Sequence, residues 1–149
     1  MMIKDLVDSV RGLASLTKNP WTQLIVARGS VYDGSPQDHG FARGVPKECF
    51  RNALHLAAEN ELLYAEGFAT HGKLAGFPIE HAWCVDSEGD VVDNTWNYSD
   101  AVYYGLVFRP AFAVKAAREI GYYGLGHNLW RRRGDKILKR VQKEYEHHV

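Results

Sequence analysis

The stretch GVPKECFRNALHLA, residues 44–57, predicts a helix that opens on a cysteine, and this helix decides the class of fold. Pro46 suits the first helical position because its φ angle is fixed, and Glu48 in the first turn suits the positive end of the helix dipole. Cys49 precedes Ala53 by about one helical turn, so the thiol shares a face with residues expected to be buried. A cysteine in this position is either a small buried hydrophobe or an activated nucleophile.

A second stretch, IEHAWCVDSEGDVVDNTW at residues 79–96, predicts a β-hairpin further along the chain. Its turn formers lie at the centre, where residues 87–89 read Ser-Glu-Gly. If these residues form a three-residue loop with Gly89 in the left-handed conformation, Asp86 faces Asp90 across the hairpin.

The register of this hairpin decides whether His81 and Asp93 can meet. With the three-residue loop, Trp83 faces Asp93, and His81 lies diagonal to the aspartate on the same face, within reach of a hydrogen bond. A two-residue loop instead sets Asp93 against Cys84, on the opposite face. Cooperation between the histidine and the aspartate therefore requires the three-residue loop.

The other elements follow from hydrophobic periodicity and from turn formers. We expect a helix at 3–16 ended by Asn19-Pro20, an extended segment or strand at 23–32, a loop at 33–40, strands at 62–70, 79–86, 90–96 and 102–109, and helices at 109–121 and 128–148 with a possible break at Gly134. Consecutive strands without intervening helices indicate an antiparallel sheet, so the class is α+β rather than alternating α/β. The cysteine helix is expected to pack on this small sheet, with helices flanking it at both ends.

Composition places limits on the class of protein. The 149 residues, 46% of them hydrophobic, predict a single domain spanning 1–149. Lysine and arginine balance aspartate and glutamate at 18 each, so no global charge recruits nucleic acid or an anionic membrane. Cys49 and Cys84 are too few for a disulfide scaffold, although one bridge stays open from sequence, and a reducing cytosol is expected.

Two further features bear on location. The first twenty residues carry Lys4, Asp5, Asp8 and Arg11 among their apolar positions, unlike the apolar core of a signal peptide. No apolar run approaches the length of about 18 residues that spans a membrane. We expect a cytoplasmic protein, and its small size hints at a bacterial or phage origin.

Thiol chemistry needs a cysteine, a base and a group that orients the base, and the chain offers them in that order. Unpaired N–H groups at a helix start favour the thiolate of Cys49 and can receive an oxyanion. His81 can take the thiol proton, while Asp93 fixes the tautomer and stabilises the imidazolium. Taken singly, each also fits an ordinary role: an inert packed cysteine, a structural histidine and a turn carboxylate.

These motifs resemble the transglutaminase-like branch of the papain-fold superfamily. The resemblance rests on ECFRNALHLA around Cys49, YAEGFA after the helix, EHAWCVD around His81 and VVDNTW around Asp93. It implies a papain-like core over about 45–109, with Cys49 as nucleophile, His81 as general base and acid, and Asp93 as the orienting residue. Asn94 stands where the family commonly has proline, and the usual G-x-C or W-C lead-in to the cysteine is missing.

The resemblance also implies an activity. Attack of the thiol on an amide carbonyl would hydrolyse a peptide, isopeptide or side-chain amide in a protein or peptide substrate, or transfer its acyl group to an amine, without a cofactor. Gln37, upstream of the cysteine, is a candidate for the oxyanion hole, although a polar loop residue is the plainer explanation. Trp83 and Trp96 are candidates for the walls of a substrate groove, with core packing as the alternative. The competing hypothesis is a papain-like domain without activity that binds a protein partner.

Other classes are less well supported. A zinc site built on His81, Cys84 and Cys49 is disfavoured, because residues three apart on a strand point to opposite faces, and no metal is expected. The H-x-E and P-C-x-x-C motifs of a zinc deaminase are missing. The basic segment 131–140 could bind nucleic acid or an acidic partner, but a solvated helix face explains it more simply.

Overall fold

The computed structural model describes residues 3–34, 40–129 and 134–146. Within these ranges the chain forms five α-helices, one short 3₁₀ helix and a five-stranded antiparallel sheet, which confirms the α+β class. The elements are α1 (Ile3–Thr17), α2 (Pro20–Arg28), β1 (Ser30–Asp33), α3 (Cys49–Asn60), β2 (Leu63–Thr70), the 3₁₀ helix (Gly72–Leu74), β3 (Ile79–Val85), β4 (Val91–Val92), β5 (Val102–Phe108), α4 (Pro110–Ile120) and α5 (Gly134–Glu146).

The sheet has the strand order β1-β5-β2-β3-β4, and each neighbouring pair is antiparallel. One face carries the main core against the helices, with Tyr64, Cys84 and Leu106 among its buried residues. The opposite face carries a smaller aromatic cluster that includes Trp83 and Tyr103. The residues that define the candidate site lie on this second face and at the nearby start of α3.

Helix α2 corrects the expectation of an extended segment at 23–32. The side chain of Asn19 accepts hydrogen bonds from the backbone N–H groups of Trp21 and Thr22, and Pro20 occupies the first turn. Asn-Pro therefore begins a second helix as well as following the end of α1, because proline lacks only an N–H that has no partner there anyway. Of the predicted segment, only 30–32 are in a strand.

Helix α3 begins at Cys49, three residues later than the proline suggested. Glu48 donates its backbone N–H to the carbonyl of Val45, and Lys47 has a φ of 66°, as in a type II turn with Pro46 at its second position. Pro46 is thus a turn residue rather than the first helical residue. Glu48 is the N-cap, so it too lies one position before the helix.

The predicted strands agree with β2, β3 and β5 to within one or two residues at their ends. The fourth, expected at 90–96, is shortened to Val91–Val92. The reason is local: Oδ1 of Asp93 accepts the backbone N–H groups of Thr95 and Trp96, at 2.9 and 3.0 Å. These bonds replace a strand ladder with a turn, which takes the chain away from β3.

The C-terminal helices pack as a layer beside α2 and α3. α4 agrees with the prediction for 109–121, and α5 covers Gly134–Glu146 of the predicted helix 128–148. Ile137 and Val141 of α5 are fully buried, and Arg140 pairs with Glu119 of α4. The described part of the basic segment, residues 134–140, therefore belongs to a helix whose other side is buried in the core. Residues 131–133 lie outside the described ranges. Across those ranges, no helix is both long and apolar enough to cross a membrane.

Candidate active site

The hairpin between β3 and β4 has the predicted three-residue register. Cys84 pairs with Val92, and the N–H of Asp86 donates to the carbonyl of Asp90 at 3.0 Å. Gly89 has a φ of 85°, the left-handed conformation that this loop requires. Oδ1 of Asp86 also accepts the N–H groups of Glu88 and Asp90, both at 2.9 Å, so the loop is closed by its own side chain.

This register brings His81 and Asp93 together. Nε2 of His81 and Oδ2 of Asp93 are 2.8 Å apart, and the two side chains are only 2% and 5% exposed. The hydroxyl of Tyr103, from β5, donates to the same Oδ2 at 2.9 Å. Burial tends to raise the pKa of Asp93, but the hydrogen bond and charge of His81 and two backbone N–H groups hold the pKa below its usual value. Asp93 is therefore an ionised acceptor.

Cys49 interacts with the same imidazole. Its side chain makes a hydrogen bond to His81, and it is 9% exposed. Because Nε2 must carry a proton to donate to the Asp93 carboxylate, Nδ1 is the nitrogen left to face the thiol. The three residues form one series in which a proton can pass from sulfur to imidazole while the carboxylate holds the ring.

The charge state of His81 follows from this arrangement. Burial lowers its pKa, yet the hydrogen bonds and charges of Asp93 and Cys49 outweigh that cost and raise the pKa to about 9. The imidazole is therefore held in the protonated form at neutral pH. A protonated imidazole beside a thiol stabilises the thiolate, which is the reactive form of cysteine.

The helix start adds a second source of positive potential at the sulfur. Glu48 makes no side-chain hydrogen bond to the first turn of α3 and instead pairs with Arg51 at 3.2 Å. The first turn of α3 contains no acidic residue. The backbone N–H groups at this helix start therefore remain as donors for an oxyanion that forms on an atom bonded to the sulfur of Cys49.

The two tryptophan candidates have different environments. Trp96 is half-buried and stacks on His81, with ring centroids 4.0 Å apart, so it covers one face of the imidazole. Trp83 is 1% exposed and packs against Tyr103 with centroids 4.8 Å apart. For Trp83 the structure shows core packing, the alternative to a groove wall that the sequence leaves open. Gln37 lies outside the described residues.

The second cysteine is in a different environment. Cys84 is fully buried, and its thiol donates to the carbonyl of Ala53 at 3.1 Å. Burial raises the pKa of this thiol to about 12. Cys84 and Cys49 are both unpaired, so the structure contains no disulfide between them. Cys84 has the character of a structural thiol.

Sequence reasoning missed several residues that support the site. Tyr103 belongs to β5, ten residues after Asp93, and β2 lies between β5 and β3 in the sheet. Glu66 is buried on the main-core face, where its carboxylate accepts bonds from the hydroxyl of Tyr64 at 2.8 Å and from the N–H groups of Leu125 and His127 at 2.7 and 3.1 Å. Burial raises the pKa of Glu66. This carboxylate anchors the loop after α4 beside the start of α3.

Two cavities can be compared with the position of the thiol. A cavity of about 570 Å³ between α3 and α4 is lined by Leu54, Val114 and Tyr122 among others. A second, of about 470 Å³, borders Gly44, Asn52 and Asn94. Neither is lined by the side chains of the Cys49, His81 and Asp93 series. In the described ranges, no group of three or more His, Cys, Asp or Glu side chains is arranged to hold a metal ion.

The fold and the site together define an α+β protein with a helix-start thiol, a buried imidazole and a buried carboxylate in hydrogen-bonded series. Comparison with known proteins adds no relative to this description, since no family model, no curated protein and no solved structure matches the chain.

Proposed function

We propose that this protein is a cysteine-dependent acyl-transfer enzyme that hydrolyses a peptide, isopeptide or side-chain amide in a protein or peptide substrate. The observation that carries the proposal is the series from Cys49 through His81 to Asp93, in which a single imidazole is hydrogen-bonded to both partners. Cys49 supplies the nucleophile, His81 the general base and Asp93 the group that orients the imidazole.

The first half of the reaction forms the acyl-enzyme. The thiol proton of Cys49 resides on Nδ1 of His81, and the thiolate attacks the carbonyl carbon of the amide. Negative charge develops on the carbonyl oxygen and is received by N–H groups at the start of α3. Collapse of the tetrahedral intermediate breaks the C–N bond, and His81 gives its proton to the departing amine. A thioester on Cys49 remains.

The second half releases the acyl group. Water gives a proton to Nδ1 of His81 and attacks the thioester carbon, and the sulfur leaves as thiolate, so the imidazolium–thiolate pair is restored. An amine in place of water would give transfer instead. We favour hydrolysis because water needs no binding site of its own, whereas an amine acceptor must be held in position beside Cys49.

The proposal includes a papain-like, transglutaminase-like core for the fold. What supports it is the order of parts: a cysteine that opens α3, a histidine on β3 and an aspartate directly after β4, on an antiparallel sheet that packs on α3. In this reading α1, α2, α4 and α5 are additions at the two ends of the core. Two unpaired cysteines fit a reducing cytosol as the location of the protein.

A non-catalytic interaction domain is the second candidate. The observation in its favour is the position of the cavities, since the larger one lies between α3 and α4 and the thiol lines neither. On this reading the series of three side chains only stabilises the junction of α3 with the hairpin.

Alkylation separates the two candidates without a known substrate. Native protein is treated with iodoacetamide at pH 6, and each cysteine is followed by peptide mass spectrometry. An enzyme with a pre-formed ion pair alkylates Cys49 at least tenfold faster than Cys84, and His81→Ala removes most of that advantage. Equal, slow alkylation of both thiols in the folded protein contradicts the proposal. Cys49→Ala is the matched variant for turnover of amide substrates, because alanine at this position leaves the helix start unchanged.

A further inference from the structure

Asn52 lies one turn after Cys49 on α3 and is 6% exposed, which is unusual burial for a polar amide. Its side chain makes hydrogen bonds to two separate segments of the chain. Oδ1 accepts the N–H of Val45 at 3.1 Å, and Nδ2 donates to the carbonyl of Val45 at 2.8 Å. The same Nδ2 donates to the hydroxyl of Thr95 at 2.8 Å. One amide therefore joins the helix, the turn before it and the turn that follows Asp93.

We infer that Asn52 is a positioning residue, which sets the distance between the thiol of Cys49 and the imidazole that Asp93 holds. This inference rests on the proposed function. Asn52 contacts none of the reacting atoms, so its effect must pass through the two segments that it joins. On one side it fixes where α3 begins, and on the other it fixes Thr95, whose own N–H donates to Oδ1 of Asp93 at 2.9 Å.

The surrounding backbone is built to accommodate this amide. A Cβ added to Gly44 would lie 2.2 Å from Cγ of Asn52, so any side chain there would displace it. Gly44 also donates its N–H to the carbonyl of Asn94 at 2.8 Å, which ties the turn before α3 to the turn of Asp93 a second time. A glycine is therefore favoured at position 44 because a larger side chain would not fit there, and not because the backbone has a positive φ.

The link has consequences for catalysis because the turn before α3 and the turn of Asp93 are distant in the sequence and are held together by the Asn52 bonds and by the bond from Gly44 to Asn94. The Cys49 end of α3 is preceded by a turn with a left-handed Lys47, and β4 ends two residues before Asn94. Misplacement of a reacting group by about 1 Å typically slows a reaction about a hundredfold. Loss of the Asn52 amide frees both segments to make displacements of this kind.

Two variants test the link from its two sides. Asn52→Ala removes all three bonds, and Thr95→Val removes only the bond to Thr95 while it keeps the shape of the side chain and the N–H that Asp93 accepts. Asn19→Ala is the matched control, since Asn19 also holds two backbone groups but lies at the start of α2, which packs on α1, β5 and α5. All proteins are compared at a temperature where circular dichroism shows them folded.

The first readout is the alkylation of Cys49 by iodoacetamide as a function of pH. We expect Asn52→Ala to slow alkylation at pH 6 tenfold or more and Thr95→Val to slow it severalfold, while Asn19→Ala stays within twofold of the wild type. The double variant Asn52→Ala/Thr95→Val should be no slower than Asn52→Ala alone, since both changes break the same link. A wild-type pH profile in both single variants, with only stability reduced, overturns the inference.

The second readout keeps the inference separable from the proposed function. The imidazole proton resonances of His81 are followed by NMR between pH 5 and 10 in the same variants. Positioning by Asn52 requires the His81 titration to move in Asn52→Ala and Thr95→Val but not in Asn19→Ala. If wild-type Cys49 alkylates as slowly as Cys84 while His81 still moves in these variants, the enzyme proposal fails and the positioning role stands. An unmoved His81 titration overturns the positioning role whatever the alkylation shows.

Discussion

The pH dependence of unfolding tests whether Asp93 holds His81 in its protonated form. The pKa of His81 is raised from 6.5 to about 9 in the folded protein, against burial, by the hydrogen bonds and charges of Asp93 and Cys49. A histidine whose folded pKa is raised contributes stability that is complete below its unfolded pKa and is lost as the pH rises through its folded pKa. The window in which stability falls is therefore pH 6.5 to 9.

The size of the effect follows from the same two values. Each pKa unit corresponds to about 1.4 kcal/mol, so the difference between 6.5 and 9 is worth about 3 kcal/mol of unfolding free energy. Three other groups with shifted pKa values act outside the window. The pKa of Cys84 is about 12, and the pKa values of His71 and Asp93 are lowered, so their contributions change above pH 9 or below pH 6.5.

Asp93→Asn is the decisive perturbation. Without the carboxylate, only Cys49 opposes the effect of burial, so the pKa of His81 falls from its raised value. Stability should then change much less between pH 6.5 and 9 than it does in the wild type. Tyr103→Phe is the control, because it removes one bond to Asp93 but leaves the charge.

Urea denaturation followed by tryptophan fluorescence at pH 6, 7.5 and 9 measures these differences. The wild type and Tyr103→Phe should lose about 3 kcal/mol across the window, since their His81 keeps its charged partner. A level wild-type profile refutes the reasoning even if Asp93→Asn fails to fold. A slope as steep in folded Asp93→Asn as in the wild type refutes it equally, because the slope must then come from groups other than Asp93.

Three further predictions use the same structure. Asp93→Asn should slow alkylation of Cys49 about a hundredfold or more at pH 6, because an amide N–H facing Nε2 places the ring proton on Nδ1, where it opposes the thiol; an unchanged rate contradicts the assigned tautomer. Native Cys84 should resist iodoacetamide at pH 8 and react once urea unfolds the chain, given its raised pKa of about 12 and its bond to Ala53; mass spectrometry of the two states checks this. Gly105→Ala should cost about 1–3 kcal/mol in urea, since its Cβ would lie 2.5 Å from the Glu66 carbonyl oxygen and 2.8 Å from the Trp83 ring. Gly12→Ala, with open space around it in α1, is its control and should stabilise by about 0.5–1 kcal/mol; equal midpoints for the two variants would rule out the close approach.

The hairpin could be derived from sequence because its geometry is decided locally. A glycine that tolerates positive φ sits at the third loop position, and Oδ1 of Asp86 closes the loop on two N–H groups. Because side chains alternate between the two faces of a strand, this register also decides that His81 and Asp93 share a face, and no contact with a distant part of the chain is needed. The same is true of the strands β2, β3 and β5, whose composition and flanking breaks lie within each segment.

The start of α3 could not be derived in this way. Proline is equally suited to the first turn of a helix and to the second position of a β-turn, and local propensity does not choose. The choice is made by Asn52, which holds both backbone groups of Val45 from seven residues away and so favours the turn. Asparagine at 52 has no feature in the sequence that marks it as buried. Helix α2 is a similar case, because Asn-Pro is suited both to follow the end of one helix and to begin the next.

The Tyr103 contact shows which signal in the sequence was available and unused. Strand β2 separates β5 from β3, so a β5 side chain reaches the Asp93 region only if β2 offers little obstruction on that face. Its residues there are Ala65, Gly67 and Ala69, which alternate with the larger side chains Tyr64, Glu66 and Phe68 on the main-core face. Gly67 is opposite both His81 and Gly105, and a Cβ on it would lie 2.3 Å from the carbonyl oxygen of Tyr104. The small-large alternation in LYAEGFAT therefore predicts a face over which neighbouring rings can lie, and on this face the imidazole, Trp83 and Tyr103 gather around the carboxylate of Asp93.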